Sequence, residues 1–261
     1  MKKLAFITEP RKHKALRFVL ENFLSVLPKE WRVQVNHGTN NLNYIANIID
    51  SSEIIREAKL KNRLILHDLN VPNLTHKDES DLLKTNKFWD ALDADLLLKF
   101  ECDTILCPNS KYKISDFERF DYIGGYWGSK LYHPLDEKYP FLKPGGAYDK
   151  SYNGPQVLPM NGALSIRNKK LMKKLVNDHF DEYISAGKPY SEDYFFSEYV
   201  EKPTTREVIS FCIDNGYIAP LNGEIPFGFH KPWANKGGAY PSIRAVCKEV
   251  KILESLQIIE E

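Results

Sequence analysis

The sequence predicts a single α/β domain with a mostly parallel central sheet flanked by helices and a loop-rich C-terminal half. Three observations carry that expectation. Short apolar stretches alternate with helical stripes through the first 107 of 261 residues, the order that builds parallel sheets with helices on their faces. The last of those stretches, opening Leu96-Leu-Leu-Lys99, runs into two acids, Glu101 and Asp103. The second half is rich in Gly, Pro and Tyr and shows no repeat, low-complexity tract or linker at which the chain would divide. One domain over 1–261 follows, with 1–107 as its regular first half and 108–261 as its loop-rich second half.

Residues 4–8 form a short apolar strand that Pro10 ends. Over 13–27 the spacing of Leu16, Val19, Leu20, Phe23 and Leu24 predicts a helix. Residues 32–36 alternate as a second strand, and His37-Gly-Thr-Asn-Asn41 reads as a polar turn. Ser51 and Ser52 are candidate N-caps of a helix through Leu60. Residues 63–66 give a third strand, and 79–93 a helix with Leu82, Leu83, Trp89 and Leu92 inward. The acid-bearing strand comes next. Residues 126–160, with Tyr126 and Trp127, have little periodicity and read as ordered loops walling a site. Residues 160–167 resume as a strand, Asn168 opens a helix through Phe180, and Ser191 caps another that begins with Glu192 and Asp193. The segment 223–241 reads as an aromatic loop.

A net charge of +1 gives no general field toward nucleic acid or anionic membrane, so no nucleic-acid partner is expected. The four cysteines, at 102, 107, 212 and 247, have no CxxC spacing, which argues against a zinc ribbon or a dense disulfide scaffold. The apolar run near the start is too short for a secretory signal, and no stretch reaches the length of a membrane span. A soluble cytoplasmic protein in a reducing compartment is the expectation.

Chemistry concentrates at a few places. Strand positions i and i+2 face one side, so Glu101 and Asp103 are expected to converge where the strand leaves the sheet. Converging carboxylates repel unless a cation sits between them or one is protonated, and hard divalent cations prefer carboxylate oxygen. A metal-assisted site for a nucleoside diphosphate follows; two incidental acids at a solvated strand end are the plain alternative. In parallel sheets ligands gather at the carboxyl ends of strands, where Thr8, Glu9, His37, His67 and Asp68 lie, with Arg11 nearby. In Ser191-Glu-Asp193 the acids complement a helix dipole, and one of them, Asp193 in preference to Glu192, could serve as a base facing the cleft, kept ionised by that dipole. In Pro226-Phe-Gly-Phe-His-Lys-Pro-Trp233, His230 could complete the metal site, Lys231 neutralise a phosphate and Trp233 offer a flat wall; these aromatics could equally cover the core. Asn161-Gly162 permits close backbone approach to a ligand, or is an ordinary turn. No P-loop, HExxH or GxSxG is present.

Taken in order, His37-Gly-Thr-Asn-Asn41, Phe88-Trp89, Phe100-Glu-Cys-Asp103, Asp121-Tyr-Ile-Gly124 with Trp127, Asn161-Gly162 with Ser165 and Arg167, Glu192-Asp-Tyr-Phe-Phe196 and the 226–233 segment resemble a GT-A-fold nucleotide-sugar glycosyltransferase. The resemblance is closest to a sparsely characterised GT-A-like family of bacteria, eukaryotic microbes and large viruses, and it covers most of the chain. It implies that Glu101 and Asp103 bind Mn²⁺ or Mg²⁺ and the donor diphosphate, that Glu192-Asp193 supplies the base of inverting members, that His230 joins the metal, and that Asn161-Gly162 borders the donor sugar. On this resemblance 1–107 is the nucleotide-binding half and 108–261 the sugar and acceptor half, and the rim of Thr8 and Glu9, with Arg11 nearby, would hold base and ribose. The implied partners are a nucleoside-diphosphate sugar and a glycan or other hydroxyl acceptor. Two positions depart from the pattern: the first metal acid is usually Asp, with Gln common in this family, and Ala163 stands where a second glycine is frequent. The rival readings are a nucleotidyltransferase, a carbohydrate-binding protein without turnover, and a hydrolase using Asp193 and water.

Overall fold

The computed structural model describes residues 1–126, 160–188, 191–216, 218–220, 223–235 and 238–260, together with the backbone of two short strands between 142 and 148. The elements run β1 (Lys3–Thr8), β2 (Lys12–His13), α1 (Ala15–Val26), β3 (Trp31–His37), α2 (Leu42–Ser51), α3 (Glu53–Leu60), β4 (Leu64–Asp68), α4 (His76–Leu83), α5 (Asn86–Asp90), β5 (Leu96–Lys99), β6 (Thr104–Leu106), β7 (Tyr122–Gly125), β8 (Leu142–Lys143), β9 (Ala147–Tyr148), β10 (Asn161–Asn168), α6 (Lys169–Ser185), α7 (Glu192–Tyr199), α8 (Thr205–Phe211), β11 (Cys212–Asp214), β12 (Gly228–His230), α9 (Tyr240–Val246), α10 (Glu249–Ser255) and β13 (Ile259–Glu260).

A six-stranded sheet in the order β4-β3-β1-β5-β10-β7 forms the centre. Its first four strands are parallel, and β10 runs antiparallel to both β5 and β7. Leu4, Ala5, Phe6 and Ile7 of β1 and Leu97 and Leu98 of β5 are wholly buried, as expected of strands covered on both faces. The parallel strands end at Thr8, His37, Asp68 and Lys99, which therefore share one rim. A second sheet, β11-β12-β6, stands beside that rim, with β12 antiparallel to β6 and parallel to β11. Its register sets His230 opposite both Thr104 and Asp214.

Several elements differ from expectation for local reasons. Residues 79–93 form two helices, because Thr85 leaves helical geometry and its hydroxyl accepts from the Phe88 amide as a new N-cap. The stretch before Ser52 is itself helical, its buried face limited to Ile45 and Ile48 among polar neighbours. Segment 223–241 contains β12 and the first turn of α9 rather than loop alone. Ser191 precedes α7 without capping it; its hydroxyl bonds Asp193 instead, and the Glu192 amide donates to Ser80 Oγ at 2.8 Å. Cys107 and Cys247 are paired as a disulfide, which the expected reducing compartment does not predict. Trp127 and most of 126–160 lie outside the described residues. Among the described residues no helix is long and apolar enough to cross a membrane.

Candidate active site

The chain leaves the central sheet after Lys99, so Glu101 and Asp103 lie in the turn between β5 and β6 rather than in a strand. Thr104 holds that turn: its hydroxyl donates to the Glu101 carbonyl at 2.8 Å and accepts from the Glu101 amide at 3.2 Å. The Cys102 carbonyl accepts from Gln257 Nε2 at 3.0 Å, and the Asp103 carbonyl from the Lys231 amide at 3.0 Å. Strand alternation is therefore not what aims the acids. They converge because the turn folds back beside β12, and one ligand atom each from Glu101, Asp103 and His230 lie within 4.8 Å of one another.

His230 is fixed by Asp214, a wholly buried carboxylate on β11 that sits 2.6 Å from Nδ1. That contact leaves Nε2 facing Asp103 Oδ1 at 3.3 Å. Both of these atoms are buried, and neither makes a hydrogen bond among the described residues. Burial opposes charge on the imidazole, but Asp103 and Asp214 outweigh it and push the His230 pKa up to about 10. Burial likewise opposes the Asp103 carboxylate, yet His230 and Lys231 hold it well below its usual range. Lys231 Nζ lies 3.0 Å from Asp103 Oδ2, on a residue with φ of +42°. An imidazole backed by a carboxylate and aimed at a second carboxylate is a common metal-ligating arrangement. The orphaned Oδ1 and Nε2 fit a divalent cation bound in place of the His230 proton.

Glu101 is differently placed. It is ion-paired to Lys99, which is buried and also lies 3.4 Å from Glu79. Burial raises the Glu101 carboxyl but Lys99 pulls it below its ordinary value, while burial pushes Glu79 up to about 7 against the same lysine. Part of the charge on Glu101 is thus met inside the protein, and Asp103 and His230 are the stronger ligand candidates.

These residues stand between two lobes of one cleft, each about 230 Å³. Thr8, Arg11 and Asp103 line the first, and Asn161, Gly162, Glu192 and Asp193 the second. His76, Glu79, Glu101 and Lys231 border both. Glu9 is buried and binds Arg11, accepting from its backbone amide at 3.0 Å and from Nε at 2.7 Å; it shapes the first lobe through that arginine. Burial first, then the neighbouring Glu192 charge, push Asp193 up to about 6, against the expectation that the helix dipole dominates. Ser191 and the Tyr194 amide both donate to its Oδ1. Glu192 is held in a two-pronged pair with Arg167 at 2.7 and 2.9 Å, which leaves Asp193 as the acid of the two without an ion pair among the described residues. Five expected residues do not line either lobe: Glu9, His67 and Asp68 are absent from both, His37 is buried with Nδ1 2.9 Å from the Gly38 carbonyl, and Trp233 packs on the hydrophobic core.

The sequence reading missed Asp214, Lys99, Glu79 and Arg167 as parts of the site. Lys99 and Arg167 carried a signal, Lys99 closing the apolar run Leu96-Leu-Leu98 just before Phe100 and Arg167 following Ile166 in β10. Asp214 ends the apolar run Phe211-Cys-Ile213, but no periodicity marked that short strand.

A mixed sheet of this order, flanked by helices and with ligand-type residues at the carboxyl ends of its parallel strands, is a GT-A-like fold. The chain is similar to the galactosyltransferase LgtC in complex with donor and acceptor sugar analogues, with a TM-score of 0.56 at 12% identity over 99% of this chain and 98% of that one. A second LgtC structure, of an active-site mutant, gives 0.54 at 15% identity over the same shares. The bifunctional glycosyltransferase WbbM gives 0.52 at 9% identity, covering 98% of this chain and 51% of that one. No curated protein matches the sequence. The chain belongs to the family described as "Protein of unknown function (DUF5672)", whose pattern matches residues 66–230.

Proposed function

We propose that the protein is a metal-assisted glycosyltransferase that moves a sugar from a nucleoside-diphosphate donor to the hydroxyl of a glycan or similar acceptor. The observation that carries this reading is the Asp103–His230–Asp214 cluster between the two lobes of the cleft, on a fold shared with glycosyltransferases. In this reading the base and ribose occupy the lobe of Thr8 and Arg11, and the sugar lies toward Asn161 and Gly162. Asp103 and His230 would hold Mn²⁺ or Mg²⁺, with Glu101 in reach, and a bound ion would supply positive charge to the departing diphosphate. Lys231 adds a fixed charge at the same place. Asp193 takes the proton of the acceptor hydroxyl as that oxygen attacks the anomeric carbon. A carboxyl with a pKa near 6 is largely ionised at neutral pH and still basic enough to accept a proton. Direct displacement inverts the anomeric centre.

A thermal-shift screen of nucleotide sugars, with and without Mn²⁺, tests the proposal, since a ligand of the native state raises the melting temperature. One donor is expected to give a shift that chelation abolishes and that Asp103→Ala loses. Turnover with that donor should release a nucleoside diphosphate. Release of pyrophosphate would instead mark a nucleotidyltransferase, and metal-independent glycan binding without turnover a carbohydrate-binding protein.

A further inference from the structure

Between Asn161 and Asp193 the cleft wall contains a charged pair that the transfer step does not use. Arg167, on β10, is fully buried and grips Glu192 with both terminal nitrogens. Its Nε donates to Ser165 Oγ at 2.9 Å, and the Ser165 hydroxyl donates to the Gly162 carbonyl at 2.8 Å. The guanidinium carbon lies 5.3 Å from the ring centre of Tyr122 and 5.6 Å from that of Phe196. Gly162 closes the other side, where a Cβ would stand 2.5 Å from Glu192 Oε1 and 2.7 Å from an Arg167 nitrogen.

A buried ion pair is a poor stabiliser, because the loss of hydration roughly cancels the attraction and apolar residues of similar size often do as well. An apolar pair could not tie the start of β10 to the first turn of α7 in a fixed orientation. We propose that the Arg167–Glu192 pair is a positioning device for Asp193, locking the start of α7 against Asn161 and Gly162 at the start of β10 so that this carboxylate is aimed into the cleft in a defined electrostatic setting. The inference rests on the reading of Asp193 as the base. Glu192 raises the Asp193 pKa from its own helix and Arg167 lowers it from β10, while the Ser191 hydroxyl and Tyr194 amide favour the charged form. The phenols of Tyr122 on β7 and Tyr183 on α6 are also within electrostatic range, and Glu79, Lys99 and His76 line the same lobe.

The experiment is a carboxyl ¹³C NMR titration of Asp193 in the free protein, assigned through Asp193→Asn, with amide hydrogen exchange beside it. Glu192→Gln removes the repelling charge and leaves Arg167 in place, so the midpoint is expected to fall by about half a pH unit or more. A double variant, Arg167→Met with Glu192→Leu, replaces the pair by apolar side chains and keeps the fold within reach if the single variant unfolds. Exchange at 161–163 and 192–194 is then expected to quicken about tenfold or more, with the remaining sheet unchanged. A folded double variant that protects both segments as the wild type does, and titrates Asp193 at the same midpoint, overturns the inference. Normal sugar transfer by Asp193→Asn would instead remove the base assignment and leave the titration result standing.

Discussion

His230 has two carboxylate neighbours that do different work. Asp214 holds Nδ1 at 2.6 Å and sets the ring's direction, while Asp103 Oδ1 faces Nε2 at 3.3 Å with no hydrogen bond to either atom among the described residues. Losing the residue behind a metal-bound histidine typically weakens the metal by about 10–100-fold. Asp214→Asn is therefore expected to cost Mn²⁺ affinity on that scale while Thr104, Glu101 and Asp103 stay in place, and a calorimetric Mn²⁺ titration reads it directly. An unchanged affinity would remove His230 from the ligand set. Asp193 makes a different demand, because burial lifts its pKa from 3.8 to about 6. The native state then binds the proton more tightly than the unfolded chain does, so this residue's contribution to stability is full below about pH 4 and is lost as pH rises through 6. Two units correspond to roughly 2–3 kcal/mol. Asp193→Asn carries no such penalty: at pH 7 the variant is expected to be the more stable protein by up to that amount, with the advantage gone at pH 4. Urea unfolding at the two pH values measures it, and a variant destabilised equally at both would show that the ionised carboxylate is not strained by its surroundings.

At the scale of elements, legibility follows how local the determinants are. Strands β1, β4 and β5 are readable as short apolar runs and β3 as an alternating one, and their parallel pairing follows from the helices between them. The helix at 79–93 failed because hydrophobic spacing continues past Thr85 although its hydroxyl caps a new helix. The acid pair was read correctly as convergent but for the wrong reason. Alternation along a strand was the premise, whereas the chain bends at Phe100 and the convergence comes from Thr104 and from β12, contributed by residues more than a hundred positions later. Separation in sequence also hid Asp214 and the ion pairs of Lys99 and Arg167: Asp214 lies 16 residues from His230 and Arg167 lies 25 from Glu192, farther than local periodicity reaches. Their partners, Glu79 and Glu192, are unremarkable acids near helix starts until the fold sets them beside buried cations. His37 and Trp233 were over-read for the complementary reason: residue type and a rim position do not say whether a side chain turns toward the cleft or the core, and both turn away from it.

The whole molecule joins its two halves at the acid turn, and the C-terminal segment is part of that junction. β13 pairs with β2, Gln257 reaches the Cys102 carbonyl, and Cys247 is bonded to Cys107 at the end of the strand that follows Asp103. The cross-link spans 140 residues, so it removes a large share of the unfolded chain's freedom. The chain-entropy limit for a loop of that size is about 5 kcal/mol, and measured effects are usually about 2–4 kcal/mol. In a domain of this size 1 kcal/mol moves the melting temperature by about 2–4 °C. Cys247→Ser, or reduction of the wild type, is therefore expected to lower the melting temperature by roughly 5–15 °C. Mn²⁺ binding in the folded state should change far less, because His230 and Asp214 are placed by the β6–β12–β11 register and not by the sulfur bridge. Thiol titration of the unreduced protein under denaturing conditions decides whether the bond forms: two reactive cysteines are expected, Cys102 and Cys212. Four would mean that the C-terminal segment is held without a covalent bond, by packing on α1 and β6, the β13–β2 pairing and the Gln257 contact, and the predicted difference between oxidised and reduced melting temperatures would then be absent.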